Sequence, residues 1–155
     1  MNNIQLLNTS LVDQISAGEV IDRPASVLKE LIENSIDSGA HKITIKIIKG
    51  GHDLIYVKDN GCGMDMENLR IAFKRHATSK IFSVEDLYCV KTLGFRGEGL
   101  PSIASVSKLV ARSSENGTNT YEISLEGGKE KSLLPVSGLK GSIFSTKNLF
   151  YNTPA

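Results

Sequence analysis

The sequence has little that marks a membrane, secreted or zinc-ribbon protein. No apolar run approaches the roughly 18 residues that a membrane-spanning helix needs, and the N-terminus lacks the regions of a secretory signal. The two cysteines, Cys62 and Cys89, are too few and too far apart for a zinc ribbon or a disulfide framework. So few cysteines suit a reducing compartment, and we expect a cytoplasmic protein without membrane attachment.

An excess of charge of one sign is also lacking. Lys and Arg number 18 against 17 Asp and Glu, which gives a net charge of +1. No global field therefore favours a polyanion, although a local basic patch remains an open alternative. The 155 residues, of which 40% are hydrophobic, suffice for one domain with an ordinary core. This composition excludes a disordered or collagen-like chain.

The patterns predict helices in the first part of the chain. A short helix over residues 11–20 is followed by a second one that Asp22 caps, with Pro24 in its first turn and Gly39 as its stop. Asp65 is predicted to cap a third helix that runs to about residue 74. Further short helices are predicted over residues 84–90 and 101–107, so the helices largely precede the strands.

Strand patterns dominate the later part of the chain. Ile43, Ile45 and Ile47 alternate as in a half-buried strand, and a turn at Gly50 returns the chain as a hairpin. The remaining predicted strands are residues 108–113, 120–125, 131–136 and 142–147. Early helices and late antiparallel strands predict an α+β fold with a layer of helices on one sheet, not a doubly wound parallel sheet.

The second predicted helix has polar side chains with possible catalytic and metal-binding roles opposite its apolar face. Its apolar face is predicted to consist of Leu28, Leu31, Ile32 and Ile36. Glu30, Asn34 and Asp37 fall within roughly a 60° arc on the other side. An amide between two carboxyl groups suits a hard cation, and a carboxylate one turn earlier can deprotonate a water molecule. The alternative is a solvated acidic face.

Two glycine-rich loops are candidate ligand contacts. Asp59 ends a predicted strand, where its carboxylate can accept a hydrogen bond from an exocyclic amine, and Gly61 and Gly63 allow a flat ligand to approach. A tight turn is the alternative for this loop. Cys62 between the glycines is expected to be a small buried residue rather than a nucleophile. The second loop leads into a helix, as in a phosphate cradle, and consists of Gly94, Phe95, Arg96, Gly97, Glu98 and Gly99.

Known phosphate motifs do not describe this second loop. Its spacing is G-x-x-G-x-G rather than the Rossmann G-x-G-x-x-G, and Glu130 after Lys129 excludes a P-loop there. Upstream, Thr78, Ser79 and Lys80 offer two hydroxyls and a cation to a phosphate. The alternatives are plain surface charge for the lysine and a packing role for the neighbouring His76.

In this order, the motifs resemble those of the GHKL ATPase superfamily, and more narrowly the MutL family of DNA mismatch repair proteins. The stretches that carry the resemblance are I-S-A-G-E-V-I-D-R-P-A-S-V-L-K-E-L-I-E-N-S-I-D-S-G-A, D-N-G-C-G-M, R-H-A-T-S-K-I, L-G-F-R-G-E-G-L-P-S-I-A-S-V-S and L-F-Y-N-T-P-A. They span essentially the whole chain. The resemblance implies a two-layer sandwich with helices on one face of a mixed, mainly antiparallel sheet.

The resemblance also implies roles for individual residues. Glu30 resembles the general base that activates water, Asn34 the Mg²⁺ ligand, and Asp59 the acid that reads the adenine of ATP. Ser142 stands where the family usually has Thr, a change that keeps the hydroxyl. The other implied nucleotide contacts are Asp37, Gly61, Gly63, Met64, Thr78, Ser79, Lys80, Gly94, Phe95, Arg96, Gly97, Glu98, Gly99 and Leu100.

The family further implies ATP-driven closure and dimerisation, with a MutS-type mismatch sensor and DNA as partners and the nucleoid as the place of action. The implied domain is an N-terminal ATPase domain over residues 1–155, incomplete at its end, without transducer and dimerisation domains. Gly99 replaces the usual Ala of the family, which predicts weaker closure of the phosphate-wrapping loop. The alternatives are a remnant that binds nucleotide without turnover and another GHKL ATPase; a histidine kinase is disfavoured because it normally lacks Glu at position 30.

Overall fold

The computed structural model describes residues 4–7, 21–74 and 99–153. The helices within these ranges are α1 (Pro24–Asp37), α2 (Met66–Ile71) and α3 (Gly99–Ser105). The strands within them are β1 (Ile43–Ile48), β2 (Leu54–Asp59), β3 (Lys108–Ser114), β4 (Thr120–Glu126), β5 (Lys129–Val136) and β6 (Gly141–Lys147). A short 3₁₀ turn over Lys49–Gly51 joins β1 to β2. Among these ranges, no helix is long and apolar enough to cross a membrane.

One six-stranded sheet organises the described residues. Its order is β1-β2-β6-β3-β4-β5, and every one of its five pairings is antiparallel. The last strand in the sequence, β6, thus lies between β2 and β3. The helices pack against this sheet, α1 over β2 and α2 over β4. This confirms the predicted α+β fold with helices layered on a mainly antiparallel sheet.

The core lies between the helices and one face of the sheet. Because side chains alternate along a strand, every second residue of the central strands points toward the helices and is buried. The core residues from the strands are Ile55, Val57, Leu109, Ala111, Ile123, Leu125 and Phe144. The core residues from α1, α2 and α3 are Val27, Leu31, Leu69, Ile103 and Ala104.

The buried stripe of α1 differs from the predicted one. Val27, Leu31 and Ser35 are buried, whereas Ile36 is 51% exposed. The helix is therefore rotated toward Ser35, a polar residue that hydropathy alone does not assign to the core. The reason is a buried hydrogen bond from Ser35 to the sheet, which is described below.

At the ends of α1, the predicted glycine stop is confirmed and the predicted Asp22 cap is wrong. The N-cap residue is Arg23, not Asp22, and it makes no side-chain capping bond. The Asp22 carboxylate accepts a hydrogen bond from the Ser26 hydroxyl at 2.8 Å, and Arg23 together with Ser26 lowers the pKa of Asp22. At the other end Gly39 has a φ of +77°, and its N–H donates to the Ile36 carbonyl at 3.0 Å. This is the predicted glycine stop.

Helix α2 begins as predicted and ends early. The Asp65 side chain caps it by accepting from the Asn68 N–H at 2.7 Å. The helix ends at Ile71, because the Lys74 N–H bonds to the Ile71 carbonyl three residues before it and so closes a tight turn instead. The predicted extension to residue 74 is therefore too long by three residues.

Strand β1 lies at the edge of the sheet and is more exposed than predicted. Ile45 and Ile47 are 43% and 46% exposed, so the expectation of a half-buried strand is wrong beyond Ile43. Their side chains share the face of the neighbouring residues Val57 and Ile55 on β2. Helix α1 lies over β2, which leaves this outer strand less covered.

Several sequence predictions lie outside the described residues. They are the helices over 11–20 and 84–90, the polar loop over 76–80, and the glycine-rich loop as far as residue 98. Gly99 is described and is the first residue of α3, where the sequence predicts the junction between that loop and a helix.

Candidate nucleotide site

Asp59 is a buried carboxylate at the end of β2. Asp59 is only 5% exposed to solvent. The Ser35 hydroxyl of α1 donates to Oδ2 at 2.8 Å, and the Gly61 N–H donates to Oδ1 at 3.0 Å. Each carboxylate oxygen has further lone pairs, so the group can still accept a hydrogen bond from an amine. A buried polar group needs such partners, and the helix and loop supply them.

The loop after Asp59 is held between α1 and β3. The Cys62 N–H donates to the Ser38 carbonyl at 3.0 Å, and a Cβ on Gly61 would lie 2.7 Å from Ser38 Cβ. Gly63 has a φ of +67°, and a Cβ there would collide with the Ser114 carbonyl. Neither glycine therefore tolerates a side chain without movement. Cys62 itself is exposed, so the expectation that it fills a buried space is wrong.

A row of polar side chains crosses three strands beside Asp59. Asp59 of β2 is opposite Ser142 of β6, which is opposite Ser113 of β3. The hydroxyls of Ser113 and Ser142 are 2.7 Å apart, and Ser113 also accepts from the Met64 N–H at 2.7 Å. We call Asp59, Ser142 and Ser113 the polar row. It joins the glycine loop to the floor of the sheet.

The sequence reasoning missed three residues of this site. Ser35, Ser38 and Ser113 support Asp59 and the glycine loop through the contacts given above. The one signal that could have indicated Ser35 is its position four residues after Leu31, one turn along the same side of α1. Ser113 had no sequence signal, because its role depends on strand pairing across β6.

The predicted chemical face of α1 is half-buried rather than fully solvated. Glu30, Asn34 and Asp37 are all of intermediate exposure. The carboxyl group of Glu30 lies against Gly99 at the start of α3. Leu100, the next residue, is also half-buried and packs against the core. The fold thus brings Glu30 together with the last residue of the predicted phosphate loop.

The other predicted phosphate contacts lie outside the described residues. They are Thr78, Ser79, Lys80, Gly94, Phe95, Arg96, Gly97 and Glu98. Within residues 4–7, 21–74 and 99–153, no group of three or more His, Cys, Asp or Glu side chains is arranged to hold a metal.

A cavity of about 160 Å³ lies at the same end of the sheet. Asp59, Ser113 and Ser142 border it, but so do Lys58 and Arg112, which alternate with them along β2 and β3. Lys58 and Arg112 belong to the face of the sheet away from the helices. We therefore do not equate this cavity with the space between α1 and the polar row.

Comparison with known proteins gives consistent similarities. Residues 22–145 match the family described as histidine kinase-, DNA gyrase B-, and HSP90-like ATPase. The chain is 52% identical, over all of its length, to 24% of the DNA mismatch repair protein MutL of Halothermothrix orenii. It is 49% identical, over 98% of its length, to 24% of the MutL protein of Haemophilus influenzae. The chain spans about a quarter of the length of these relatives.

Solved structures give the same result for the fold. The crystal structure of the N-terminal domain of a DNA repair protein matches with a TM-score of 0.77 and 32% identity, over 92% of this chain and 40% of that one. The Aquifex aeolicus MutL ATPase domain complexed with ADP matches with a TM-score of 0.64 and 34% identity, over 87% of this chain and 46% of that one.

Proposed function

The chain belongs to the family of histidine kinase-, DNA gyrase B- and HSP90-like ATPases, and we propose that it is the ATP-binding and ATP-hydrolysing module of a MutL-type DNA mismatch repair protein. The observation that carries this proposal is the buried Asp59 carboxylate, held by Ser35 and Gly61 next to a loop without room for side chains. That arrangement suits the edge and face of a purine. Similarity to a MutL ATPase domain complexed with ADP supports it.

In the proposed site, Asp59 accepts a hydrogen bond from the exocyclic amine of adenine. Gly61 and Gly63 form the backbone beside the base. Because a Cβ on either would collide with Ser38 or with the Ser114 carbonyl, the two glycines let this loop pack closely against the end of α1 and against β3, which fixes its position next to Asp59. Ser142, paired with Ser113, adds a hydroxyl beside the carboxylate. Met64 follows the loop, and its N–H is already used by Ser113, so we assign it a packing contact with the nucleotide.

The hydrolytic part of the proposal lies on α1. Asn34 would hold Mg²⁺ through its amide oxygen; when bound, this ion neutralises charge on the phosphates. Magnesium commonly keeps several waters and takes one or two protein ligands together with substrate phosphates, so a single amide oxygen can serve as its protein ligand. Glu30, one turn earlier, takes the proton of the attacking water, and Asp37 belongs to the same polar face.

The phosphate-wrapping residues complete the proposed machinery. They are Thr78, Ser79, Lys80, Gly94, Phe95, Arg96, Gly97, Glu98, Gly99 and Leu100. Phosphoryl transfer depends on positioning and charge stabilisation more than on covalent chemistry. An adenine-reading acid, a metal-binding amide, a base and a backbone cradle are therefore a sufficient set.

The biological part of the proposal extends beyond these residues. We propose that nucleotide-dependent closure and dimerisation of the parent protein couple a MutS-type mismatch sensor and DNA to later repair factors. High identity to MutL proteins supports this assignment. We place the chain within the N-terminal ATPase domain of such a protein, and its proposed compartment is the cytoplasm, at the nucleoid when it acts.

ATP hydrolysis by the purified chain and by a Glu30→Ala variant tests the enzymatic proposal. We expect Glu30→Ala to lower kcat by about 100-fold or more, the usual contribution of a general base, while ATP still binds. Glu33→Ala is the matched control, since Glu33 lies on the same helix and its half-buried carboxylate pairs with the exposed Lys29 at 3.9 Å. The control should keep kcat within about twofold.

Two other results would contradict the proposal. ATP binding without turnover in both parent and variant would favour a binding-only module. Absence of nucleotide binding by the parent would remove the assignment of Asp59 as well.

A further inference from the structure

The face of the sheet away from the helices carries basic side chains from two strands on either side of Ile143. Lys58 of β2 and Arg112 of β3 are each paired with Ile143 of β6, so the three side chains lie on the same face. Because neighbouring strands are about 4.8 Å apart, the backbones of Lys58 and Arg112 are separated by about 10 Å. Both long side chains can therefore contact one ligand placed over Ile143.

The connection between β5 and β6 forms a wall at this end of the face. Strand β5 lies at the edge of the sheet, so residues 137–140 pass the ends of β4 and β3 before β6 begins. Two hydrogen bonds attach the connection to these strands. The Thr120 hydroxyl donates to the Gly138 carbonyl at 3.3 Å, and Arg112 Nη1 donates to the Ser137 carbonyl at 3.4 Å. The wall is thereby fixed relative to the sheet.

The cavity of about 160 Å³ described above lies behind this wall, and we call it the outer cavity. Lys58, Arg112 and Lys140 line it. The Glu122 carboxylate accepts from Arg112 Nε at 2.6 Å and offsets that charge, and the Asp59 carboxylate is bonded on the helix side of the sheet. In the ranges that the structure describes, neither lysine forms an ion pair. A concave site lined by charge of one sign concentrates counter-ions.

We propose that the outer cavity binds a phosphate dianion, either inorganic phosphate or the terminal phosphate of a monoester. Such a group carries a charge of about −1.5 to −2 near neutral pH, which matches the two ammonium groups of Lys58 and Lys140. Arg112 is already held by two hydrogen bonds and has further N–H donors, so it can donate to the same ligand. This proposal is independent of ATP binding and hydrolysis at the polar row.

Nuclear magnetic resonance of the ¹⁵N-labelled full chain, titrated with inorganic phosphate, tests the site directly. We expect saturable shifts of the Gly138 and Gly141 amides, which border the outer cavity. The Asp59→Asn variant should show the same titration even where its ATP affinity falls, because its carboxylate lies on the other side of the sheet. Shifts confined to the Gly61 and Gly63 amides, or no saturable shift in the parent, would overturn the proposal.

A pair of double variants with equal change of charge tests the two lysines. Lys58→Gln with Lys140→Gln should raise the dissociation constant for inorganic phosphate about tenfold, because hydrogen bonds to charged groups are lost. Lys129→Gln with Lys131→Gln is the control, since both residues are exposed on β5 and do not line the outer cavity. Equal weakening by both variants would show a general effect of charge and contradict the site. Circular dichroism confirms that each variant is folded.

Two oligonucleotides of the same sequence, with and without a 5′-phosphate, identify the source of the dianion. The phosphorylated strand should shift the Gly138 and Gly141 amides and compete with inorganic phosphate, whereas the strand with a 5′-hydroxyl should not. Tighter binding of the phosphorylated strand than of inorganic phosphate would identify a strand end as the ligand, and equal binding would identify the free ion. Equal shifts by both strands would assign the cavity to backbone diesters and overturn the proposal.

Discussion

At the scale of single residues, serine hydroxyls make several of the hydrogen bonds that hold the candidate site together. Ser35 bonds to one oxygen of Asp59, and Ser113 joins the Met64 N–H to the Ser142 hydroxyl. Both serines are buried, at 1% and 2% exposure. A buried hydroxyl without a hydrogen-bond partner destabilises the folded protein, whereas one with a partner favours a single arrangement of the groups around it. The polar row is therefore organised by residues that no ligand needs to touch.

Asp59→Asn should separate ligand recognition from folding. The amide keeps the shape and can still accept from Gly61 and pair with Ser35, but it loses the charge. Hydrogen bonds to charged groups contribute about 1.5–3 kcal/mol, so we expect ATP affinity to fall by about tenfold or more. Titration calorimetry measures the affinity, and urea unfolding measures stability.

Ser35→Ala is the comparison for this experiment. It should cost about 1–3 kcal/mol of unfolding free energy, because Asp59 then lacks one buried donor, while affinity changes less than in Asp59→Asn. Equal affinity in Asp59→Asn and the parent would show that the carboxylate charge does not read the ligand.

Some of these residues could be predicted from the sequence and others could not, depending on whether their partners are close in the chain. The end of β2 at Asp59 and the glycine loop after it could be predicted, because turn chemistry after a strand is local. Ser113 was missed because its partners come from a loop 49 residues earlier and a strand 29 residues later. Exposure of Cys62 was missed because burial of a small residue depends on which side of the loop the fold leaves open.

At the scale of elements, glycine has two separate uses in this chain. Gly39 ends α1 with a φ of +77°, and apart from its chain neighbours and the backbone of its own helix no atom of the described residues lies within 4 Å of the position of an added Cβ. Gly63 also has a positive φ, +67°, but there the Ser114 carbonyl occupies the Cβ position. Conformation alone requires the first glycine, whereas conformation and packing together require the second.

Alanine substitutions should distinguish these two uses. Gly39→Ala should cost about 1 kcal/mol, the penalty for an L-residue in the left-handed region, and should leave ATP affinity unchanged. Gly63→Ala should cost more, because the backbone of the loop or of β3 must also shift, and it should weaken ATP binding. Urea unfolding and calorimetric titration of both variants provide the measurements. Equal costs, with affinity unchanged in both, would contradict the role given to Gly63.

The ends of helices could be predicted from the sequence where residues close to the end determine them. Asp65 caps α2 and Gly39 stops α1, because both act through backbone groups within a few residues. The rotation of α1 was not predictable from hydropathy. Burial of Ser35 in place of Ile36 is decided by a carboxylate on another element.

At the scale of the whole molecule, the two edges of the sheet are β1 and β5. Ile45 and Ile47 of β1 are exposed, and no other strand of the described ranges pairs with the outer side of β1. Long apolar edges of this kind favour association between sheets. The alternation of these isoleucines suggested a covered face, but coverage depends on where α1 crosses the sheet.

Ile47→Lys should therefore reduce self-association of the chain without preventing folding. A charged side chain on an edge strand disfavours pairing with a second sheet. We expect lower light scattering at high protein concentration and an unchanged circular dichroism spectrum. Thr44→Lys, on the opposite face of the same strand, is the control and should have a smaller effect. Identical scattering by the parent and Ile47→Lys would contradict this expectation.

The position of β6 has a consequence for how the molecule is made. The hairpin of β1 and β2 and the meander of β3, β4 and β5 are each local in sequence, but β6, the strand that joins them, follows both in the sequence. Non-local pairing of this kind is slow relative to local contacts. In a chain made from its N-terminus, β2 and β3 can therefore be joined only after Lys147 has emerged. The polar row, which needs β2, β6 and β3 in register, closes only at that last step, so nucleotide can act on folding only after translation of the strand.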